Sequence, residues 1–241
     1  MNLKKDFIKT DKVHKTYKPS SGRGYEALRG IDISIDEGDF VIIFGPSGCG
    51  KTTLLHSLIG LENISKGKIY YRDRVFSDLT MEQRSKFRAK NIGMIYQQSF
   101  WVKSMNVLYN VCLPLFIKGD DIPEATKKAK EALRKVGMLE YAYKKPAQLS
   151  GGEQQRVGFA RAIVNDPKII FADEPTGNLD SENSDKIVDL LRSFNKDQGR
   201  TVVMVTHNLS YLKYANRKIA IRDGRVVEID EEVRQELEGV K

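Results

Sequence analysis

With 241 residues, 40% of them hydrophobic and 30% charged, the chain has the make-up of an ordinary globular protein, which excludes collagenous, coiled-coil and disordered readings. Its length fits one large domain, or one domain with an inserted lobe, and is too short for two full transport-type modules. Forty Lys and Arg against 32 Asp and Glu leave a formal charge of +8, which favours anionic partners such as nucleotides, nucleic acid or an anionic membrane surface. Cys49 and Cys112 have no metal-type spacing with the three histidines, so neither zinc nor a disulfide is expected. The longest apolar runs, 40–44 and 169–172, fall far below the roughly 18 residues of a spanning helix. Residues 1–6 lead into polar sequence rather than the apolar core of a secretory signal, so a cytoplasmic location is expected.

Along the chain, Ile31, Ile33 and Ile35 alternate with Asp32, Ser34 and Asp36, the period of a half-buried strand, and Glu37-Gly38-Asp39 supplies a turn. Residues 40–44 are continuously apolar, as expected of a strand covered on both faces. That strand runs into Gly45-Pro46-Ser47-Gly48-Cys49-Gly50-Lys51-Thr52, with Thr53 next, and then into a helix in which Leu54, Leu55, Leu58 and Ile59 share a face and Gly60 ends the run. The eight residues complete the phosphate-loop pattern in its confirming context, after a strand and before a helix. Glycines let backbone N–H groups converge on phosphate oxygens and the helix N-terminus adds positive dipole. Lys51 reaches the β- and γ-phosphates, and the Thr52 hydroxyl is placed to ligate Mg²⁺.

From about 98 to 160 the character turns helical, with Pro123 in a first turn and Ala125, Ala129, Ala132, Leu133 and Val136 behind it; this reads as an inserted helical lobe. Within it, Leu149-Ser150-Gly151-Gly152-Glu153-Gln154-Gln155-Arg156 opens a helix, and Ser150 with Glu153 has capping-box spacing. A cap alone does not account for Gly151 and Gly152, which weaken a first turn by about 1 kcal/mol each relative to alanine. Two glycines there allow close backbone approach to an anion, a second phosphate-binding helix end.

Residues 169–173 form a buried strand that delivers Asp173 and Glu174 at its C-terminal end, where the ligand crevices of α/β sheets lie. Alone, an acidic pair ending a strand is an ordinary solvated loop start. Beside a phosphate loop, Asp173 fits the Mg²⁺-supporting carboxylate and Glu174 a group that polarises an attacking water. A helix carrying Ile187, Val188, Leu190, Leu191 and Phe194 stops at Gly199, and 201–206 is again a strand, so the core is α/β with a mostly parallel sheet. Residues 218–222 and 225–228 flank Asp223-Gly224, a two-residue hairpin signal. The tail, 231–241, is either a short charged helix or frayed.

The phosphate loop, the Leu-Ser-Gly-Gly-Glu-Gln signature and the strand-end carboxylates together resemble the ATP-binding cassette ATPases over nearly the whole chain. Further matches are Tyr17 as the aromatic that stacks on adenine, Gln97 as the Q-loop glutamine, Asn178-Leu179-Asp180 as the D-loop and His207 as the switch histidine. The resemblance implies a phosphate-loop NTPase core (residues 1–97 and 161–241) with an N-terminal antiparallel β subdomain, and a helical signature subdomain at about 98–160. It implies ATP and Mg²⁺ as cofactors, with Glu174, His207 and Gln97 catalytic and Thr52, Gln97 and Asp173 around the metal. Residues 45–53, Tyr17, Ser150, Gly151, Gly152 and Asp180 would bind nucleotide. It also implies a head-to-tail pair of cassettes, each ATP lying between the Lys51 loop of one subunit and Ser150 of the other, and a separate integral membrane permease that holds the chain on the inner face of the membrane.

Asp173-Glu174-Pro175-Thr176-Gly177-Asn178-Leu179-Asp180 and the stretch 107–117 are similar to the branch containing lipoprotein-release, macrolide-export, peptide-antibiotic-resistance and cell-division ATPases. Ser99 stands where that branch often has an aromatic, and Lys103 where it often has proline. Phe100, Trp101, Val102 and Met105, beside Gln97, either line the permease groove or belong to the core of the helical lobe. Three other readings compete with this one. A cassette acting on nucleic acid lacks the coiled-coil insertion, second cassette or zinc module of its relatives, so no specific nucleic acid is expected. A small-molecule kinase gives no role to Ser150-Gly151-Gly152 or His207. A cell-division-type cassette that regulates an extracytoplasmic hydrolase differs only in its permease.

Overall fold

The computed structural model describes residues 6–18 and 24–229. In chain order its elements are strands β1 (Asp6–Tyr17), β2 (Tyr25–Ile31), β3 (Ser34–Asp36) and β4 (Phe40–Phe44), helix α1 (Lys51–Leu58), strands β5 (Lys66–Tyr71) and β6 (Arg74–Val75), helix α2 (Met81–Asn91) and strand β7 (Ile92–Ile95). Helices α3 (Val107–Lys118), α4 (Ile122–Lys135) and α5 (Gly151–Ile163) follow, then β8 (Ile169–Asp173), α6 (Ser181–Lys196), β9 (Thr201–Val205), β10 (Arg217–Arg222) and β11 (Arg225–Val227). The mixed α/β composition, with an antiparallel N-terminal sheet and inserted helices, agrees with the expected fold class. The tail 231–241 and the N-terminal residues 1–5 lie outside the described residues. Among the described residues no helix is long and apolar enough to cross a membrane. The chain forms two compact units, Met1–Arg84 with Val203–Lys241 and Ser85–Val202, whose boundaries fall inside α2 and β9.

In the first unit β1 pairs antiparallel with β2, β3 and β5, and β5 with β6. The alternation of Ile31, Ile33 and Ile35 does not make one strand. β2 stops at Ile31 and β3 starts at Ser34. At the break the Thr10 hydroxyl on β1 donates to the Ile31 carbonyl at 2.8 Å and accepts the Ile33 N–H at 2.9 Å, and of the backbone bonds the Thr10 N–H still reaches the Ile33 carbonyl at 2.9 Å. The three isoleucines stay buried all the same, because the burial pattern constrains side chains and the ladder is negotiable. All five residues of β4 are buried, and it pairs parallel with β10. Asn216 fixes where β4 starts: its Oδ1 accepts the Phe40 N–H at 2.8 Å and its Nδ2 donates to Asp39 at 3.0 Å. β10 and β11 form the expected hairpin, with Asp223 and Gly224 at φ 47° and 74°, the left-handed pair that matches strand twist.

In the second unit β7 and β8 pair parallel, Ile95 opposite Ala172, and α3, α4 and α5 pack on one another. The helical segment therefore shares its compact unit with β7, β8 and α6. Each of these helices has a side-chain N-cap: Asn106 for α3, Asp121 for α4 and Ser150 for α5. Asn110 on α3 is fully buried and organises the loop before its own helix. Its Nδ2 donates to the carbonyls of Val102, Met105 and Asn106, and its Oδ1 accepts the Val102 N–H at 2.9 Å. Removing this amide takes the side-chain partner from the Val102 N–H and the Met105 carbonyl, while the Val102 and Asn106 carbonyls keep the Met105 and Asn110 N–H groups; a group left unpaired costs about 1–3 kcal/mol. Asn110→Ala is therefore expected to lower the urea midpoint of this unit by the equivalent of roughly 2–4 kcal/mol. The chain's one tryptophan, Trp101, lies in the same loop, so its fluorescence reads the transition directly. An unchanged midpoint contradicts the assignment.

Candidate nucleotide site

The phosphate loop in the first unit is shaped by close backbone approach. A Cβ at Gly45 would lie 2.0 Å from the Ile221 carbonyl oxygen, and one at Gly50 2.6 Å from that of Ala27. The β10–β11 turn supports the loop from below, the Gly224 N–H donating to the Cys49 carbonyl at 3.0 Å. Gly50 is the N-cap of α1 with no side-chain cap, and the first turn carries no acidic residue, so the positive end of the helix dipole meets no side-chain carboxylate there. Lys51 is buried, and its Nζ donates to the carbonyls of Gly45 at 2.8 Å and Pro46 at 2.9 Å. The ammonium thus ties the start of the loop to the start of α1. Pro46, Ser47, Gly48 and Thr52 are exposed along this turn and Thr53 is half-buried, whereas Cys49 points inward and burial pushes its thiol pKa up.

Tyr17, at the end of β1, is exposed, and Lys15 Nζ sits over its ring, 4.6 Å from the centroid. His207 follows β9. The Thr206 N–H bonds to the Ile43 carbonyl at 3.2 Å, so the exposed His207 emerges at the end of β4 from which the phosphate loop departs. The first unit therefore carries Tyr17, residues 45–53 and His207.

The second unit gathers the rest. Because β7 and β8 run parallel with Ile95 opposite Ala172, Gln97 and the Asp173-Glu174 pair leave the sheet at the same end. Gln155 of α5 anchors the start of the loop after β7 by donating to the Tyr96 carbonyl at 2.9 Å. Gln97 lies against Gly177, where a Cβ would come within 2.9 Å of its Nε2, and it faces Asn178 at 3.5 Å. Glu174 adopts φ 46°, a left-handed backbone uncommon for a residue with a side chain; such strain persists where surrounding structure enforces it and collects at working sites.

Ser150 and Glu153 form the capping box expected of them, and the Ser150 N–H holds the Glu153 carboxyl below its ordinary pKa. The glycine pair divides into two cases. Gly152 is buried, and a Cβ there would fall 2.5 Å from the Asn183 side chain, so packing against α6 requires it. At Gly151 the nearest atom to a Cβ is Leu179 Cδ2 at 3.8 Å, an ordinary contact, so packing does not demand this glycine. Asp180 caps α6, accepting from the Asn183 N–H and Nδ2 at 2.8 Å each, and these bonds lower its pKa. Through Asn183 the start of the signature helix and the D-loop turn are neighbours.

These residues fit ATP and Mg²⁺ in kind. Thr52, Gln97 and Asp173 offer oxygen donors only, and Mg²⁺ binds through one or two carboxylates together with substrate phosphates and water. Among the described residues no group of three or more His, Cys, Asp or Glu is placed to hold a metal ion. Motif reading missed Asn183, Gln155 and Asn110, which hold the loops. Gln155 stands inside the signature segment but its spacing assigns it no role, and Asn183 has the Asx-type spacing behind Asp180 at a helix start.

The sequence profile of the ABC transporter family matches residues 28–177. An uncharacterized ABC transporter ATP-binding protein of Methanocaldococcus jannaschii, MJ1508, is 47% identical over 203 residues, 84% of this chain and 90% of that protein. An uncharacterized ABC transporter ATP-binding protein of Thermotoga maritima is 42% identical over 205 residues, 85% and 87% of the two chains. Among solved structures, the dimeric post-hydrolysis state of the ATP-binding cassette MJ0796 bound to ADP and Pi aligns with a TM-score of 0.85 and 39% identity, covering 92% of this chain and 97% of that one. With the phosphate loop, the capped signature helix and the strand-end carboxylates in place, the chain belongs to the ABC transporter family, as one of its ATPase cassettes.

Proposed function

We propose that this cassette drives a separate membrane permease of the lipoprotein-release and macrolide-export type, closing head to tail with a second cassette around two MgATP. The observation that carries the reading is the start of α1, which has neither a side-chain cap nor an acidic first turn behind the phosphate loop; at the start of α5, which Ser150 and Glu153 cap, Gly151 is a glycine that packing does not demand. The dimeric form of MJ0796 with ADP and Pi supports the pairing. In this reading Tyr17 stacks on adenine, Lys51 and the N–H groups of 45–53 bind the phosphates, and Ser150 and Gly151 approach the γ-phosphate from the partner copy. Thr52, Gln97 and Asp173 would hold Mg²⁺, which would supply positive charge to neutralise the phosphates. Glu174 takes a proton from water as its oxygen bonds to the γ-phosphorus and the bond to the bridging oxygen of ADP breaks; His207 steadies the γ-phosphate. Residues at about 98–160 act as the signature subdomain, and Asp180 sets the D-loop at the pair's interface. The permease, meeting the chain near Phe100 and Val102, both exposed, would keep it on the cytoplasmic face of the membrane.

Detergent extraction of tagged chain from its native membrane tests the partner. A stoichiometric polytopic protein with a large extracytoplasmic domain, and an ATPase rate that changes in the complex, is the expected result. A chain recovered alone from the soluble fraction, with the same ATPase rate, contradicts it.

A further inference from the structure

Tyr25 stands directly opposite Tyr17 in the β1–β2 ladder, so the two side chains leave the same face of that sheet. Its ring is 54% exposed, yet its hydroxyl donates to the Gly48 carbonyl of the phosphate loop at 3.3 Å. A singly exposed aromatic needs no explanation. One that bridges the residue opposite Tyr17 and the tip of the phosphate loop does, because a nucleotide with its base on Tyr17 and its phosphates on the loop must pass its sugar across the strip between them. Lys15 narrows the choice of path. Its ammonium covers one face of Tyr17 and is itself held by Glu62 at 2.7 Å and the Asn63 carbonyl at 2.8 Å, so a base must stack on the other face.

We infer that Tyr25 is a second aromatic contact for the bound nucleotide, its ring against the sugar and base while its hydroxyl tethers the phosphate loop at Gly48. The inference rests on the proposed function, with residues 45–52 as the phosphate site and Tyr17 as the face for the base. An aromatic against a base contributes about 1–3 kcal/mol by alanine substitution, and a neutral hydrogen bond about 0.5–1.5, so the ring carries more than the hydroxyl.

The test is equilibrium binding of MgATP and of inorganic tripolyphosphate, which has no base or sugar, to wild type, Tyr25→Ala and Tyr25→Phe. Tyr25→Ala is expected to weaken MgATP about 5- to 50-fold and tripolyphosphate by about threefold or less, with Tyr25→Phe within about threefold of wild type for both. Tyr25→Thr, a strand-compatible replacement, should repeat the alanine result and guards against a folding defect. Wild-type MgATP affinity in Tyr25→Ala overturns the inference, and so does equal loss for both ligands, which would make the ring a prop for the loop alone. Wild-type protein that binds neither ligand would sink the phosphate-site reading instead, a separable outcome.

Discussion

Glu174→Gln is expected to lower steady-state phosphate release by about 10²- to 10⁴-fold while leaving MgATP affinity near wild type, the usual cost of losing one positioned base. The amide keeps the shape of the carboxylate but accepts no proton from water. The side chain is set by the left-handed backbone at φ 46° directly after the buried strand β8, and glutamine tolerates that conformation no worse than glutamate, so the loss falls on chemistry rather than folding. With hydrolysis blocked and nucleotide still bound, the closed pair should accumulate. Light scattering with MgATP should then report twice the monomer mass, falling back when nucleotide is removed. Phosphate release within twofold of wild type would remove Glu174 from the role of base.

Lys51→Met fails one step earlier. The ammonium is buried and donates to the Gly45 and Pro46 carbonyls, and a phosphate would receive a charge-assisted hydrogen bond from the same group. A hydrogen bond to a charged group contributes about 1.5–3 kcal/mol, so MgATP affinity should drop roughly 10- to 150-fold by calorimetry. Methionine keeps the length of the side chain and most of its apolar stem, which limits collapse of the loop. Because the two carbonyls also lose their donor, thermal stability should fall slightly even without nucleotide. Unchanged affinity means that this loop is not where phosphates bind.

How much of this was visible in the chain depends on how local each signal is. β4, the phosphate loop and α1 follow one another without interruption, and the Asp223-Gly224 turn declares itself within four residues, so strand, turn and helix could be read from neighbours alone. β1 was not legible: it is 12 residues long, interrupted by a left-handed Lys12 and paired irregularly with three other strands, and no period-2 pattern survives that. α2 buries none of its residues, so it has no apolar stripe to find, although Thr80 and Gln83 exchange the side-chain to backbone bonds of a capping box at its start.

At the site the motif residues stood out because each is an unusual type at a demanding place. The residues that position them did not. Asn110 folds back eight residues onto the loop at Val102, with no motif spacing to mark it, and Asn183 meets Gly152 only through tertiary folding. The signature glycines show the difference sharply: one sequence argument covered both, yet Gly152 answers to the Asn183 side chain while Gly151 is under no such constraint. Phe100 and Val102 proved exposed, while Trp101 is tied inward by its indole N–H to Gln154 at 2.9 Å and by Arg161 over its ring, so a single apolar run serves both surface and interior.

The head-to-tail pairing is tested most directly by disulfide trapping between two single-cysteine chains. One chain carries Ser47→Cys in the exposed phosphate turn and the other Ser150→Cys at the exposed start of α5, both with Glu174→Gln to hold the closed state and with Cys49→Ser and Cys112→Ala to remove the two native buried thiols. The mixture should give a covalent dimer on mild oxidation with MgATP and little without it, and neither chain alone should give one in comparable yield. Trapping that ignores nucleotide, or that is as strong in the Ser47→Cys chain by itself, would contradict an ATP held between the phosphate loop of one cassette and the signature helix of the other.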